Sequence, residues 1–235
     1  MRKLPVRSAI AISAVMVALA SCGSGGADSS ASTSTAVVTT TTVAPTTTAS
    51  AADAQPEAAL WPFASGTTRF DDPVAAARSF AVDYVGFVDP VVGEFQAGDS
   101  ASGEVTIRPD AAGPATTVHV RRLTAGDTWW VLGASTQNLE LASPASLTSI
   151  ASPVTLEGQS TAYEATVNVE VRQDGTVVPL GTNFVMGGSM GEMGPFSKAV
   201  AFDTPTATGG AIVLRTLSAE NGAVWEVTVV RVRFA

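Results

Sequence analysis

Ser189 stands in the one pattern of this chain associated with nucleophilic chemistry, because Gly187-Gly188-Ser189-Met190-Gly191 satisfies G-x-S-x-G. That pattern activates a serine where a buried strand turns sharply into a helix, beside an oxyanion hole, with an acid and a histidine following in the chain. No helical period follows Ser189, and the only histidine, His119, lies far upstream. In a glycine-rich stretch the pattern arises cheaply, so the segment reads as a loop and no catalytic residue is assigned. His119 alternates with Val118 and Val120 and is expected to face away from them, toward solvent near Arg121. A lone histidine makes no metal site. Asp71, Asp72, Asp99 and Asp110 are scattered turn and cap carboxylates without a calcium-loop spacing, so neither a metal nor a cofactor is expected.

Two groups of apolar side chains are better candidates for binding than for catalysis. Trp129 and Trp130 are adjacent in an apolar stretch that reads as a strand, so one indole points into a core and the other away from it. The outward ring is to be covered by the helix, a neighbouring domain, or a glycan or protein partner, with packing the favoured cover. Met186, Met190 and Met193 share the loop of Ser189 and offer either a soft apolar patch for a partner or, the favoured reading, packing of the loop over the sandwich end. Trp129, Trp130, Met190 and Met193 are therefore the candidate binding surface.

Cys22 offers the remaining reactive group, and its surroundings say what for. Arg2, Lys3 and Arg7 precede an uncharged stretch from Ala9 to Leu19 that is too short for a stable bilayer span and reads as an export signal. The ending Leu19-Ala20-Ser21-Cys22 resembles the lipobox of bacterial lipoproteins. That resemblance implies cleavage after residue 21, acylation of the Cys22 thiol, and a lipid anchor on the extracytoplasmic face of the cell membrane. Two or three acyl chains hold a protein stably where one does not. With a single cysteine no internal disulfide can form, so the exported part must hold together by apolar burial.

Charge and composition narrow the partners. The chain has 13 basic and 21 acidic side chains, net −8, and loss of Arg2, Lys3 and Arg7 with the signal takes this to −11. A surface of that sign repels nucleic acid. From Gly23 to Glu57 the chain is Ser, Thr, Ala and Gly with scattered Pro, lacking aromatic residues and any apolar period. Such a segment cannot bury enough surface to offset its ordering and reads as a disordered tether, 22–58, with an r.m.s. span of roughly 30 to 35 Å.

The elements that must position the candidate residues begin after the tether. Asp72-Pro73 supplies an N-cap and a first-turn proline, and Val74, Ala77, Phe80, Ala81, Tyr84, Val85 and Val88 recur on one face, predicting a helix over about 73–88. The period then changes to two around Val105 and Ile107 and around Val118 and Val120, with further strands at 129–134 and 139–141. One helix on a short antiparallel sheet makes a small α+β domain over 59–142. Beyond Ser143-Pro144 and Ser152-Pro153 the pattern is all strand and turn. Tyr163, Ala165, Val167, Val169 and Val171 alternate with polar residues, and strands are also predicted at 176–180, 197–202, 211–217 and 225–234. In the last of these the apolar face switches after Val229, for which a β-bulge at Val229-Val230 is the expected remedy. This second domain, 147–235, reads as an antiparallel sandwich, and the fold class is mainly β.

Ile150-Ala151-Ser152-Pro153-Val154-Thr155-Leu156-Glu157-Gly158, Tyr163-Glu164-Ala165-Thr166-Val167, Gly191-Glu192-Met193-Gly194-Pro195-Phe196 and Val229-Val230-Arg231-Val232-Arg233-Phe234 resemble the immunoglobulin-like domain of bacterial spore-germination proteins. The resemblance covers about 147–234. It implies an immunoglobulin-like β-sandwich of a kind found beside the germination domain GerMN and alone in surface lipoproteins. It brings no defined catalytic or ligand set. Anchor, tether and sandwich together lead to the expectation of a non-enzymatic cell-envelope interaction module, with protein or cell-wall glycan as partner. A glycan-binding protein using an exposed indole is the alternative, and a serine hydrolase using Ser189 comes third.

Overall fold

The computed structural model describes residues 55–123 and 127–235; Cys22, the export signal and the tether up to residue 54 lie outside the described residues. The first regular element is the expected helix, α1 (Pro73–Ser79), running directly into a π-helical turn, Phe80–Val85. The Asp72 carboxylate accepts hydrogen bonds from the amides of Val74 and Ala75, each at 3.2 Å, which satisfies two of the donors a helix start leaves unpaired. The widened π turn lets Phe80, Ala81, Tyr84 and Val85 all face inward. The helix ends earlier than the predicted residue 88. Gly86 takes the left-handed conformation (φ 97°) and its amide returns to the Ala81 carbonyl, a C-terminal cap open to a residue without Cβ. Val88 is exposed, not part of the buried face.

Among the described residues twelve strands follow: β1 (Val91–Ala97), β2 (Ser102–Arg108), β3 (Thr116–Arg122), β4 (Trp129–Ser135), β5 (Leu139–Ser143), β6 (Ser149–Ile150), β7 (Val154–Ser160), β8 (Thr166–Gln173), β9 (Pro179–Met186), β10 (Gly194–Val200), β11 (Gly209–Leu217) and β12 (Val224–Phe234). Eight of them form a sheet in the order β1-β2-β3-β4-β12-β11-β8-β9, with β6 parallel to β12, while β10-β7-β5 form a second sheet. Among the described residues the mainly β class, a helical segment on an antiparallel sheet and a sandwich of two sheets are all present. The boundary expected between 142 and 147 does not divide the hydrogen bonding. β4 meets β12 at Ala134 and Val229, so strands from both sides of that boundary share one sheet, and the described residues fall in one compact unit.

What is divided is the core, by the large sheet itself. On one face the helix residues Phe80, Tyr84 and Val85 pack with Val105, Ile107, Val118, Val120, Trp129 and Val131, and with Val213, Val227 and Val229 from the central strands. On the other face Val167, Val169, Ile212, Leu214 and Val232 pack against Leu139, Leu156, Phe196 and Val200, largely from the second sheet. This explains why β12 changes its apolar face without a bulge. Its pairing with β11 runs unbroken from Arg233 to Glu226, and the strand is covered on both sides. A strand buried on both faces carries no polar side to alternate with.

β5 was placed by sequence in the first domain, but it pairs with β7 in the second sheet. Gly209-Gly210, expected as a turn, begins β11 instead. A Cβ at Gly210 would stand 2.1 Å from the Arg172 carbonyl oxygen, so the close pairing with β8 is what requires glycine there.

A charged network locks the helix to β8 and β11. Arg172 Nε donates to Glu170 Oε2 at 2.8 Å, and Arg215 also pairs with Glu170. The same two guanidinium groups donate to the last carbonyls of the helical segment, Arg172 to Tyr84 O and Arg215 to Val85 O, the latter at 3.2 Å. Positive charge at a helix C-terminus is favourable, and the shared Glu170 carboxylate balances it. Nearby, Arg231 pairs with Asp174 and donates from Nε to the Glu57 carbonyl at 2.9 Å, tying the segment ahead of α1 to β12.

Candidate functional site

Of the four side chains expected to bind, the tryptophans are withdrawn from the surface. Trp129 is 3% and Trp130 2% exposed. Trp129 packs edge-on against Phe95, with the Arg122 guanidinium over its ring. Trp130 lies on the opposite side, covered by Ala59, Ala64 and Leu123, with Arg69 over its ring. The outward indole is therefore covered by the chain's own N-terminal segment, which crosses β4 through hydrogen bonds between Trp61 and Val131. Neither ring offers a face on which a sugar could stack.

The methionines remain outside. Met190 is 97% exposed and Met193 partly so. Met190 also adopts a positive φ of 55°, sparsely populated for a residue with a long side chain. Its loop is fixed from several directions. Gly188 N donates to Ser160 O at 2.8 Å, Gly188 O accepts from Ala162 N at 3.1 Å, and Gly191 N donates to Thr161 Oγ1 at 3.1 Å. A Cβ on Gly188 would lie 1.9 Å from the Glu192 carbonyl oxygen, so the chain can fold back here only at glycine. Ser189 sits in this loop, followed by no helix, and His119 is bonded elsewhere.

A cleft of about 810 Å³ opens beside this loop at one end of the sandwich. Its walls are the turn Tyr163–Ala165, the loop carrying Ser189, Met190 and Gly191, and the β11–β12 hairpin from Thr216 to Glu226. Tyr163 was expected at the start of a strand with its ring inward. Instead, a 3₁₀ turn with Glu164 and Ala165 at positive φ precedes β8, and the Tyr163 ring is 65% exposed on the cleft wall. Leu217, Trp225 and Met190 complete the apolar lining. The charged lining residues are all acidic: Glu164, Glu220 and Glu226.

Glu226 is unlike the other two because it is only 3% exposed. Its Oε2 accepts from Thr136 Oγ1 at 2.7 Å and from Asn138 Nδ2 at 3.1 Å, whereas Oε1 has a 3.4 Å contact from Thr216 Oγ1. No Lys or Arg among the described residues forms an ion pair with it. Sequence reading passed over Glu226 because a glutamate in an alternating strand normally marks the solvent face. Its burial comes from donors on the β4–β5 connection, remote in the chain.

His119 occupies a different place, on the open face of β3. Its Nε2 lies 3.0 Å from Ser135 Oγ and its Nδ1 3.4 Å from Glu104 Oε1. The order of groups is that of a serine–histidine–carboxylate relay. Both His119 and Glu104 are nevertheless open to water, where such a relay lacks the excluded, preorganised surroundings that make it effective. No group of three or more His, Cys, Asp or Glu among the described residues is arranged to hold a metal ion.

No curated protein and no solved structure matches the chain. One family model does, over 138–223, a range that begins ahead of the resemblance read from the sequence and takes in β5, in agreement with the pairing of β5 with β7. The second sheet, β8, β9, β11 and the whole wall of the cleft up to Ala223 lie inside that range. Residues 138–223 are thus similar to the immunoglobulin-like domain of bacterial spore germination, the family whose model they match.

Proposed function

We propose that this protein is a lipoprotein anchored through acylated Cys22 to the extracytoplasmic face of the cell membrane, and that its folded part is a non-enzymatic interaction module for the cell envelope. The observation that carries the module reading is the cleft at the sandwich end, with Met190 and Tyr163 held out to solvent from turns of positive φ. Apolar side chains displayed on strained, well-bonded backbone are characteristic of surfaces that meet a partner. The immunoglobulin-like family supports a binding role over a catalytic one. The burial of Trp129 and Trp130 favours a protein partner over a glycan recognised by those rings. The lipobox-like Leu19-Ala20-Ser21-Cys22 and the threonine-rich segment after it support the anchor and tether.

Cross-linked envelope pull-downs test the module reading. The wild-type protein is expected to recover partners that a Met190→Asp, Tyr163→Ser double variant loses, and recovery of the same set by both overturns it. The anchor is tested separately by membrane fractionation. Cys22→Ala is expected to move the protein out of the membrane fraction, and its retention after detergent-free washing overturns the lipoprotein reading.

A further inference from the structure

The cleft has a polar as well as an apolar lining, and the two ask for different parts of one ligand. Glu226 is one of the residues lining the cleft, hydrogen-bonded to the β4–β5 connection, and is nine-tenths buried and more. Burying a carboxylate away from water is costly unless its charge and lone pairs are matched. Here the matching is incomplete in two respects. Thr136, Asn138 and Thr216 are neutral, so the charge has no counter-ion, and Oε1 has only the long 3.4 Å contact while Oε2 receives two good hydrogen bonds. A carboxylate accepts about four hydrogen bonds, so Oε1 retains capacity for a donor. The side chains lining the cleft include no Lys or Arg, while Glu164 and Glu220 add negative charge to its rim.

We infer that the cleft receives a lysine or arginine side chain from a partner protein, its cationic head bonding to Glu226 Oε1 and the apolar residues flanking it packing on Tyr163, Met190 and Trp225. The inference rests on the module reading above and adds the chemistry of the partner. A basic side chain suits this shape because its methylene stem lies along apolar walls while its head reaches the acid. A charge-assisted hydrogen bond in a partly dry cleft is also stronger than one on the rim, so recognition is concentrated at Glu226. The rim carboxylates steer a cation inward, an effect that weakens with salt.

The test uses three peptides of matched length on the full chain: acetyl-Leu-Arg-Leu-amide, the corresponding lysine peptide, and the citrulline peptide, which keeps the shape of arginine without its charge. Binding is read by Trp fluorescence and by NMR shifts of residues around Trp225. The arginine or lysine peptide is expected to bind about 10-fold or more tightly than the citrulline peptide, the increment of a hydrogen bond to a charged group. Glu226→Gln is expected to abolish that ratio. Equal binding of charged and uncharged peptides overturns cation recognition while leaving the cleft as a binding surface. Absence of all binding overturns the inference too, and the pull-down above then decides the module reading on its own. The wild-type ratio stands as a test even where Glu226→Gln does not fold.

Discussion

A phenol surrounded by apolar side chains releases its proton reluctantly, and Tyr84 is such a phenol. Its ring stacks on Phe80 at 5.2 Å between centroids and lies under the Arg172 guanidinium. Burial pushes its pKa up to about 12, with the positive charge of Arg172 opposing the shift. Because the folded value lies above the unfolded value of about 10, the folded state holds the proton more tightly. The associated stability is fully present below pH 10 and is lost as pH rises toward 12, by about 3 kcal/mol in all. Absorbance near 295 nm is expected to show one tyrosine ionising near pH 12, together with the onset of alkaline unfolding. Tyr84→Phe should remove that step and flatten the loss of stability; an unchanged titration in the variant would assign the step elsewhere. The identity of this residue as core was legible in the sequence from the helical period. Its contact with Arg172 was not, since the two lie on elements far apart in the chain.

At the scale of elements, the helix is held at both ends by charge, by Asp72 at its start and by Arg172 and Arg215 at its finish. Glu170 is the shared counter-ion of those arginines and is itself buried. Glu170→Ala leaves two guanidinium groups without compensation and is expected to destabilise the protein by about 3 to 5 kcal/mol, measured by denaturant unfolding. A loss below about 1 kcal/mol would mean that water already screens the network. The elements were legible wherever one face was apolar: the helix start at Asp72-Pro73, β2, β3 and β4 all stand where periodicity puts them. They were illegible where local rules compete. Tyr163 continues the alternation of β8 by residue type, yet the left-handed backbone of Glu164 and Ala165 turns it outward. β1, whose burial is mixed and whose sequence includes Gly93 and Glu94, carries little alternation to read. The exposed Met190 follows from the glycine-rich loop, whereas the cleft beneath it depends on Asn138 and Thr136, which no local pattern connects to Glu226.

For the whole molecule, the decisive fact is that one sheet belongs to two cores. Val213 and Val227 face the helix side, while Ile212 and Leu214 on the same strand pair face the second sheet. Damage to either core therefore reaches the other through β11 and β12. Heating or denaturant is expected to give one cooperative transition, with coincident curves from Trp fluorescence and circular dichroism. Ile212→Ala should lower that single midpoint, at a cost of about 2 to 5 kcal/mol, and leave the curves superimposed. Two resolved transitions, one unaffected by Ile212→Ala, would show that the cores behave as separate domains. Sequence reading drew its boundary at 142–147 because prolines punctuate the chain there. Composition marks where a chain turns, but it does not record which earlier strand a later one joins.

β12 is later in the chain than every strand it touches, and it lies between β4 and β11 near the middle of the large sheet. A polypeptide delivered N-terminus first can form its helix and its first hairpins while β12 is still being supplied. Neither core can close until then, because Val227 and Val229 serve one and Val232 the other. Closure of both cores therefore waits on a single strand, so the helix side and the second sheet are completed in the same event when β12 is inserted between β4 and β11.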